Sequence, residues 1–216
     1  YGEDSENVYY YLTIYNEPYV QPAEPDNLDV AGLLKGIYLY SPAVKQRKKN
    51  AQILASGVGV NWAMKAQQLL ADDWGVAASV WSVTSWNELR RDGLEVDSHN
   101  LVNPKDKKSA YITEKLKGAD GPVIAVSDFM RAVQDQIAPW VPNSFYSLGT
   151  DGFGLSDTRG ALRRHFKVDA ESITVATLTQ LAQAGEIKES VVQEAIDKYR
   201  IFDVRSADAG NTEGSG

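Results

Sequence analysis

Gln52-Ile53-Leu54-Ala55-Ser56-Gly57-Val58-Gly59-Val60-Asn61-Trp62 runs from a short apolar segment, through two glycines, into a stretch with helical spacing. Residues 52–55 predict a strand, and Trp62–Trp74 a helix with Met64, Leu69 and Leu70 on its apolar side. The same alternation repeats downstream. Ala78–Val83 is the second strand, and Ser85 with Glu88 forms a capping box opening a helix over Trp86–Arg91, which Gly93 is expected to stop. A polar loop, Glu95–Lys108, leads towards a third strand, Pro122–Val126. Ser127 and Asp128 are expected to cap a helix carrying Phe129, Val133 and Ile137, limited by Pro139. A fourth strand holds Phe145, Tyr146 and Leu148. Asp169 then caps a helix over Ala170–Ala184 that ends at Gly185, and Ser190–Tyr199 is a last amphipathic helix with Val191, Ala195, Ile196 and Tyr199 on one side. This pattern predicts an α/β fold, a mostly parallel open sheet with helices on both faces.

In such a sheet, ligands and partners gather at the carboxyl ends of the strands. Those ends fall at Ser56-Gly57, Thr84-Ser85, Ser127-Asp128 and Gly149-Thr150, which makes that edge the functional candidate by geometry. Upstream, Val8–Tyr15 is aromatic and β-branched, as a buried strand should be. A proline-broken turn, Asn16–Pro22, follows it. Residues 23–50 read as a linker with a short apolar lead-in strand, Gly36–Tyr40, and a basic run, Lys45–Lys49, that reads as a solvated linker. Residues 206–216 read as a disordered polar tail. The chain starts at Tyr1 in mid-pattern, so a piece of a longer polypeptide is expected.

Composition narrows the function. The 216 residues carry a net charge of −7 and no cysteine. The acidic balance disfavours nucleic acid or an anionic membrane as the main partner. Without cysteine there is no thiolate metal site or thiol nucleophile, and a cytoplasmic setting fits. No apolar run approaches the ~20 residues that span a bilayer.

The motifs are incomplete as catalytic signatures. Gly57-Val58-Gly59 stands where a dinucleotide fingerprint would begin, but Trp62 occupies a position that needs a small residue, and no acid ends the second strand. It reads as a tight structural turn. Leu148–Arg159, LGTDGFGLSDTR, could cradle a phosphate or pack a tight corner; no Gly-Lys-Ser/Thr follows it. His99, in the polar loop, and His165, in a helix, lack ligand neighbours at metal spacing. Asp72-Asp73 and Asp203/Asp208 read as solvated. Glu17 has the better case for a fixed acid, held between prolines just past a buried strand, with Asn16 and Tyr19 beside it.

YYYLTIYNEPYVQPAEP, SGVGVNWAMKAQQLL, VWSVTSWNELRRDG, VIAVSDFM and LGTDGFGLSDTR, in this order across nearly the whole chain, resemble the C-terminal part of the homodimeric pyruvate dehydrogenase E1 family, nearest its actinobacterial members. A looser G-x-x-x-FG-x-S pattern recurs in transketolases. The resemblance implies a thiamine-diphosphate enzyme that decarboxylates pyruvate and reductively acetylates the lipoyl group of the E2 acyltransferase. It implies that the diphosphate and Mg²⁺ are held upstream by a GDG…NN signature this sequence lacks, so the chain alone is expected to be inactive. Residues 1–22 would end the middle, pyrimidine-binding domain. Residues 51–205 would form a transketolase-like C-terminal domain that packs in the homodimer. Asn16, Glu17 and Tyr19 would line the active site, while a histidine some members carry three places after the acid is Val20 here. Ser156-Asp157 would cap the next helix, and Phe153 would meet a neighbouring domain or subunit. The alternatives are another transketolase-like enzyme, or a non-catalytic docking or dimerisation module.

Overall fold

β1 (Ile37–Ser41), β2 (Lys49–Ala55), β3 (Val76–Val83), β4 (Val123–Val126) and β5 (Phe145–Leu148) form one sheet in the order β1-β3-β2-β4-β5. β1 runs antiparallel to β3, and every other pair is parallel. The computed structural model describes residues 7, 9, 10, 12, 14, 20–43 and 48–207. The period of two along each strand explains the layering. Ala51, Ile53 and Ala55 of β2 join Ala78 and Val80 of β3 and Ile124 and Val126 of β4 in one core. Leu54, Trp81, Val83, Val123 and Ala125 point the other way into a second core.

Helices cover both faces, as expected. On the first face lie α2 (Gly59–Asp73) and α7 (Ala170–Gln183), with α8 (Glu189–Tyr199) packed behind α7. α2 buries Ala63, Ala66, Gln67 and Leu70, the spacing of one helical stripe. Gln67 is polar, yet its amide donates to Ala78 O at 2.8 Å and Pro42 O at 3.1 Å and accepts from the Ser41 hydroxyl at 3.0 Å, tying edge strand β1 to α2. On the second face, α3 (Trp86–Val102) and α4 (Tyr111–Lys115) contribute Trp86, Leu89 and Ile112, joined by Leu116 just after α4. Between β5 and α7, α6 (Arg159–His165) buries Arg164, whose guanidinium pairs with Asp169 and donates to Tyr199 O at 2.9 Å and Ser206 Oγ at 2.8 Å. Asp169 also caps α7, accepting from the Ser172 N–H at 3.0 Å.

Several expectations change. α3 does not stop at Gly93 but runs through it to Val102, 17 residues in all, so most of the expected Glu95–Lys108 loop is helical. The Trp140 indole lies against the bare face of Gly93, where a Cβ would come within 2.4 Å of it. A glycine inside a helix costs about 1 kcal/mol, and here that cost is offset by close packing. Ser127 and Asp128 do not open a long helix. The Ser127 hydroxyl accepts from the Phe129 N–H at 2.9 Å, Met130 is extended, and α5 (Arg131–Asp135) begins only at Arg131. α6 is capped by Thr158, which accepts from Ala161 N–H at 3.3 Å, while Asp157 accepts from Thr158 N–H. The chain also forms α1 (Val30–Lys35) and α4, neither expected from periodicity. α1 is capped by Asp29, which pairs with Lys115 of α4. At the amino terminus, Tyr9, Tyr10, Leu12 and Ile14 are exposed and form no strand, since no strand among the described residues pairs with them; the rest of Val8–Tyr15 lies outside the described residues.

Candidate functional site

The order of the sheet reverses between β2 and β4, the geometry at which open α/β sheets bind their ligands. A cleft of about 780 Å³ opens at this edge. Ser56-Gly57 after β2, Thr84-Ser85 after β3, and Phe129 and Val133 after β4 line it, with Tyr38 and Tyr40 of β1 and Gln21-Pro22 of the lead-in. The Trp86 indole N–H donates to Ser56 Oγ at 3.0 Å, locking the start of α3 to the exit of β2. The Tyr40 hydroxyl donates to Ala23 O at 2.8 Å, and the Thr84 hydroxyl to Leu33 O at 2.6 Å. These bonds tie Ala23 and Leu33 to two residues that line the cleft. The Tyr38 and Tyr40 rings meet edge to face, 6.4 Å apart. Burial, then the neighbouring Tyr38, push the Tyr40 phenol up, so it stays a neutral donor.

Among the described residues, no charged side chain lines this cleft. Its described lining offers phenol, hydroxyl, amide and backbone groups that can bind neutral polar groups. The turn after β2 cannot cradle a phosphate. The N–H groups of Gly59, Val60 and Asn61 donate to the oxygens of Ser56, Gly57 and Val58 at 3.1–3.2 Å. Gly57 takes the left-handed φ of +56° that this turn needs. The tight-turn reading of the glycine pair therefore stands. Among the described residues no group of three or more His, Asp or Glu side chains is placed to hold a metal ion.

The sequence-predicted site residues divide. Asn16, Glu17 and Tyr19 lie outside the described residues, as do Lys45, Gln46 and Arg47 of the basic run and Asp208. Val20 is described, outside any strand and exposed. The strand exits Ser56-Gly57 and Thr84-Ser85 do meet in the cleft, whereas Ser127-Asp128 and Thr150 line a separate crevice. Tyr38 and Tyr40 escaped the sequence reading; their i, i+2 spacing on the lead-in strand was the available signal. In LGTDGFGLSDTR only Gly149 is required by packing, because a Cβ there would stand 2.5 Å from Phe129 O. Residues 151–159 are exposed, and Phe153 is 95% exposed. His99 sits in the last turn of α3 rather than in a loop, 2.8 Å from Asp106 O, and the His165 ring meets Phe166 edge-on. Two of the acids read as solvated have partners: Asp73 meets Lys198 at 2.6 Å and the Tyr199 hydroxyl at 2.8 Å, and Asp203 pairs with Arg200. No described helix is long and apolar enough to cross a membrane.

Residues 36–169 match the family described as transketolase-like TK C-terminal domain. The chain is 60% identical over 208 residues to the pyruvate dehydrogenase E1 component of Mycolicibacterium smegmatis, covering 96% of this chain and 22% of that protein. It is 55% identical over 213 residues to the Mycobacterium tuberculosis E1 component, covering 98% and 23%, and 42% identical over 203 residues to that of Escherichia coli K12, covering 93% and 22%. The chain thus spans less than a quarter of the length of these relatives. Among solved structures, transketolase from Leishmania mexicana aligns with a TM-score of 0.47 at 17% identity, covering 73% of this chain and 20% of that one.

Proposed function

Since this chain belongs to the transketolase-like TK C-terminal domain family, we propose that it is the C-terminal region of a pyruvate dehydrogenase E1 component. The observation that carries the proposal is 60% identity sustained over 96% of the chain to a protein of that name. In this reading the intact enzyme decarboxylates pyruvate with thiamine diphosphate and Mg²⁺ and reductively acetylates the lipoyl group of E2, working as a cytoplasmic homodimer. The cofactor sits on upstream domains.

The work of this region is architectural. The cleft at the carboxyl edge, entered by Gln21-Pro22, supports that role because its described lining offers mainly hydrogen-bonding and aromatic surface. Asn16, Glu17 and Tyr19 stand immediately before Gln21 and are proposed to line the active site. Their individual roles are left to mutation. Assaying the intact polypeptide for pyruvate-dependent acetylation of a lipoyl domain tests the proposal. Turnover that needs thiamine diphosphate is expected; an intact protein that ignores pyruvate and transfers ketol groups between sugar phosphates would replace this reading with the transketolase one.

A further inference from the structure

The chain passes along the carboxyl-edge cleft at Gln21-Pro22, and the next residue, Ala23, offers its carbonyl to the Tyr40 hydroxyl at 2.8 Å. Seventeen positions separate the two residues, so the bond joins the lead-in to the sheet rather than closing a local turn. Its donor is well supported. Tyr40 lies on edge strand β1, with its ring packed against the first core and set edge to face on Tyr38. Burial, above all, raises the phenol above its ordinary pKa, which keeps the proton the bond needs. Further along, the lead-in is tied by the Asp29–Lys115 pair and by the Thr84 hydroxyl on Leu33 O. Of these three ties, Tyr40–Ala23 stands nearest in sequence to Asn16, Glu17 and Tyr19.

From this geometry we propose that Tyr40 is a positioning residue: by holding the chain at Ala23, its hydroxyl sets the reach and direction of the segment Asn16–Tyr19. The inference rests on the reading of that segment as active-site lining. Sequence makes the connection stiff. A proline limits its own φ to about −65° and confines the residue before it to extended backbone. Prolines at 18, 22 and 25 thereby restrict six of the ten positions from 16 to 25. A tether with so few free dihedrals passes a fixed end on to its neighbours instead of absorbing it. Four residues reach at most about 14 Å, so little slack separates Ala23 from Tyr19. Chemistry is sensitive to such slack, since a misplacement of about 1 Å costs up to about 10²-fold in rate.

A double-mutant cycle in the intact enzyme, followed as pyruvate-dependent acetylation of a lipoyl domain, is the test. Tyr40→Phe keeps the ring and its packing and removes only the hydroxyl. It should lower kcat about two- to fivefold with the pyruvate KM unchanged, fivefold being the factor that a neutral hydrogen bond of about 1 kcal/mol represents. Combined with Glu17→Gln it should add nothing further, because a positioning bond has no effect once the group it positions is gone. Tyr199→Phe removes a phenol hydroxyl of the same kind from the α2–α8 contact, and should lower the thermal midpoint without changing kcat. Unchanged kcat in Tyr40→Phe, or a loss that multiplies in full with that of Glu17→Gln, overturns the positioning role and leaves the E1 assignment standing. Wild-type turnover in Glu17→Gln itself would instead remove the active-site reading of the segment, and the inference with it.

Discussion

Gly93 lies on the buried stripe of α3 with Trp86 and Leu89, at i, i+3 and i+7. Because Trp140 rests on it, Gly93→Ala should destabilise the protein by about 1–3 kcal/mol through overpacking, although alanine favours helix by about 1 kcal/mol. Urea denaturation checks the sign; a stabilised variant would show that Trp140 moves aside freely. Phe153 is the opposite case, a large apolar side chain with almost nothing against it. Its substitution by alanine should leave the stability of this region within about 0.5 kcal/mol and weaken the dimer more than it shifts the pyruvate KM. Sedimentation and steady-state kinetics on the intact enzyme separate these, and a normal dimer with a large KM change contradicts the assignment. Local signals were readable at this scale. The caps Ser85 and Asp169 bond groups three residues away, and the structure keeps both. The burial of Arg164 was not readable, since its partners at residues 199–206 arrive from another helix end.

At the scale of elements, the long strands and α2, α7 and α8 follow from pattern because each carries a whole face of core contacts. The short helices α1 and α4 do not, and α5 is shorter than its pattern suggested. Helices this short are marginal alone and form where tertiary contacts hold them, as Asp29 and Lys115 hold α1 to α4. Gly93 misled the reading of α3 because its reason lies 47 positions downstream, at Trp140. The α2–α8 contact gives a pH prediction. Asp73 meets Lys198 and Tyr199, and the Lys198 hydrogen bond, above all, holds its carboxyl below the ordinary value of 3.8. A depressed folded-state pKa means the contribution is complete above that value and is lost as pH falls through the lowered one. Asp73→Asn should therefore blunt part of the acid loss of stability below pH 3.8, and less so in high salt because the pair is near the surface. Thermal melts from pH 6 to pH 2 measure it; identical acid profiles for the two proteins would remove the pair from the account.

For the whole molecule, the two-faced parallel sheet was legible from the alternation of strand and helix, and the carboxyl edge from the topology that alternation imposes. The cleft's aromatic wall was not, because Tyr38 and Tyr40 enter it from a strand that pairs out of sequence order beside β3. E1 relatives more than four times as long support the proposal that this region helps shape an active site whose cofactor is held elsewhere in the intact protein. Isothermal titration of thiamine diphosphate with Mg²⁺ into residues 1–216, beside the same titration into the intact polypeptide, tests it most directly. The account predicts saturable binding to the intact protein and no detectable heat with residues 1–216. Micromolar binding to residues 1–216 alone would contradict it.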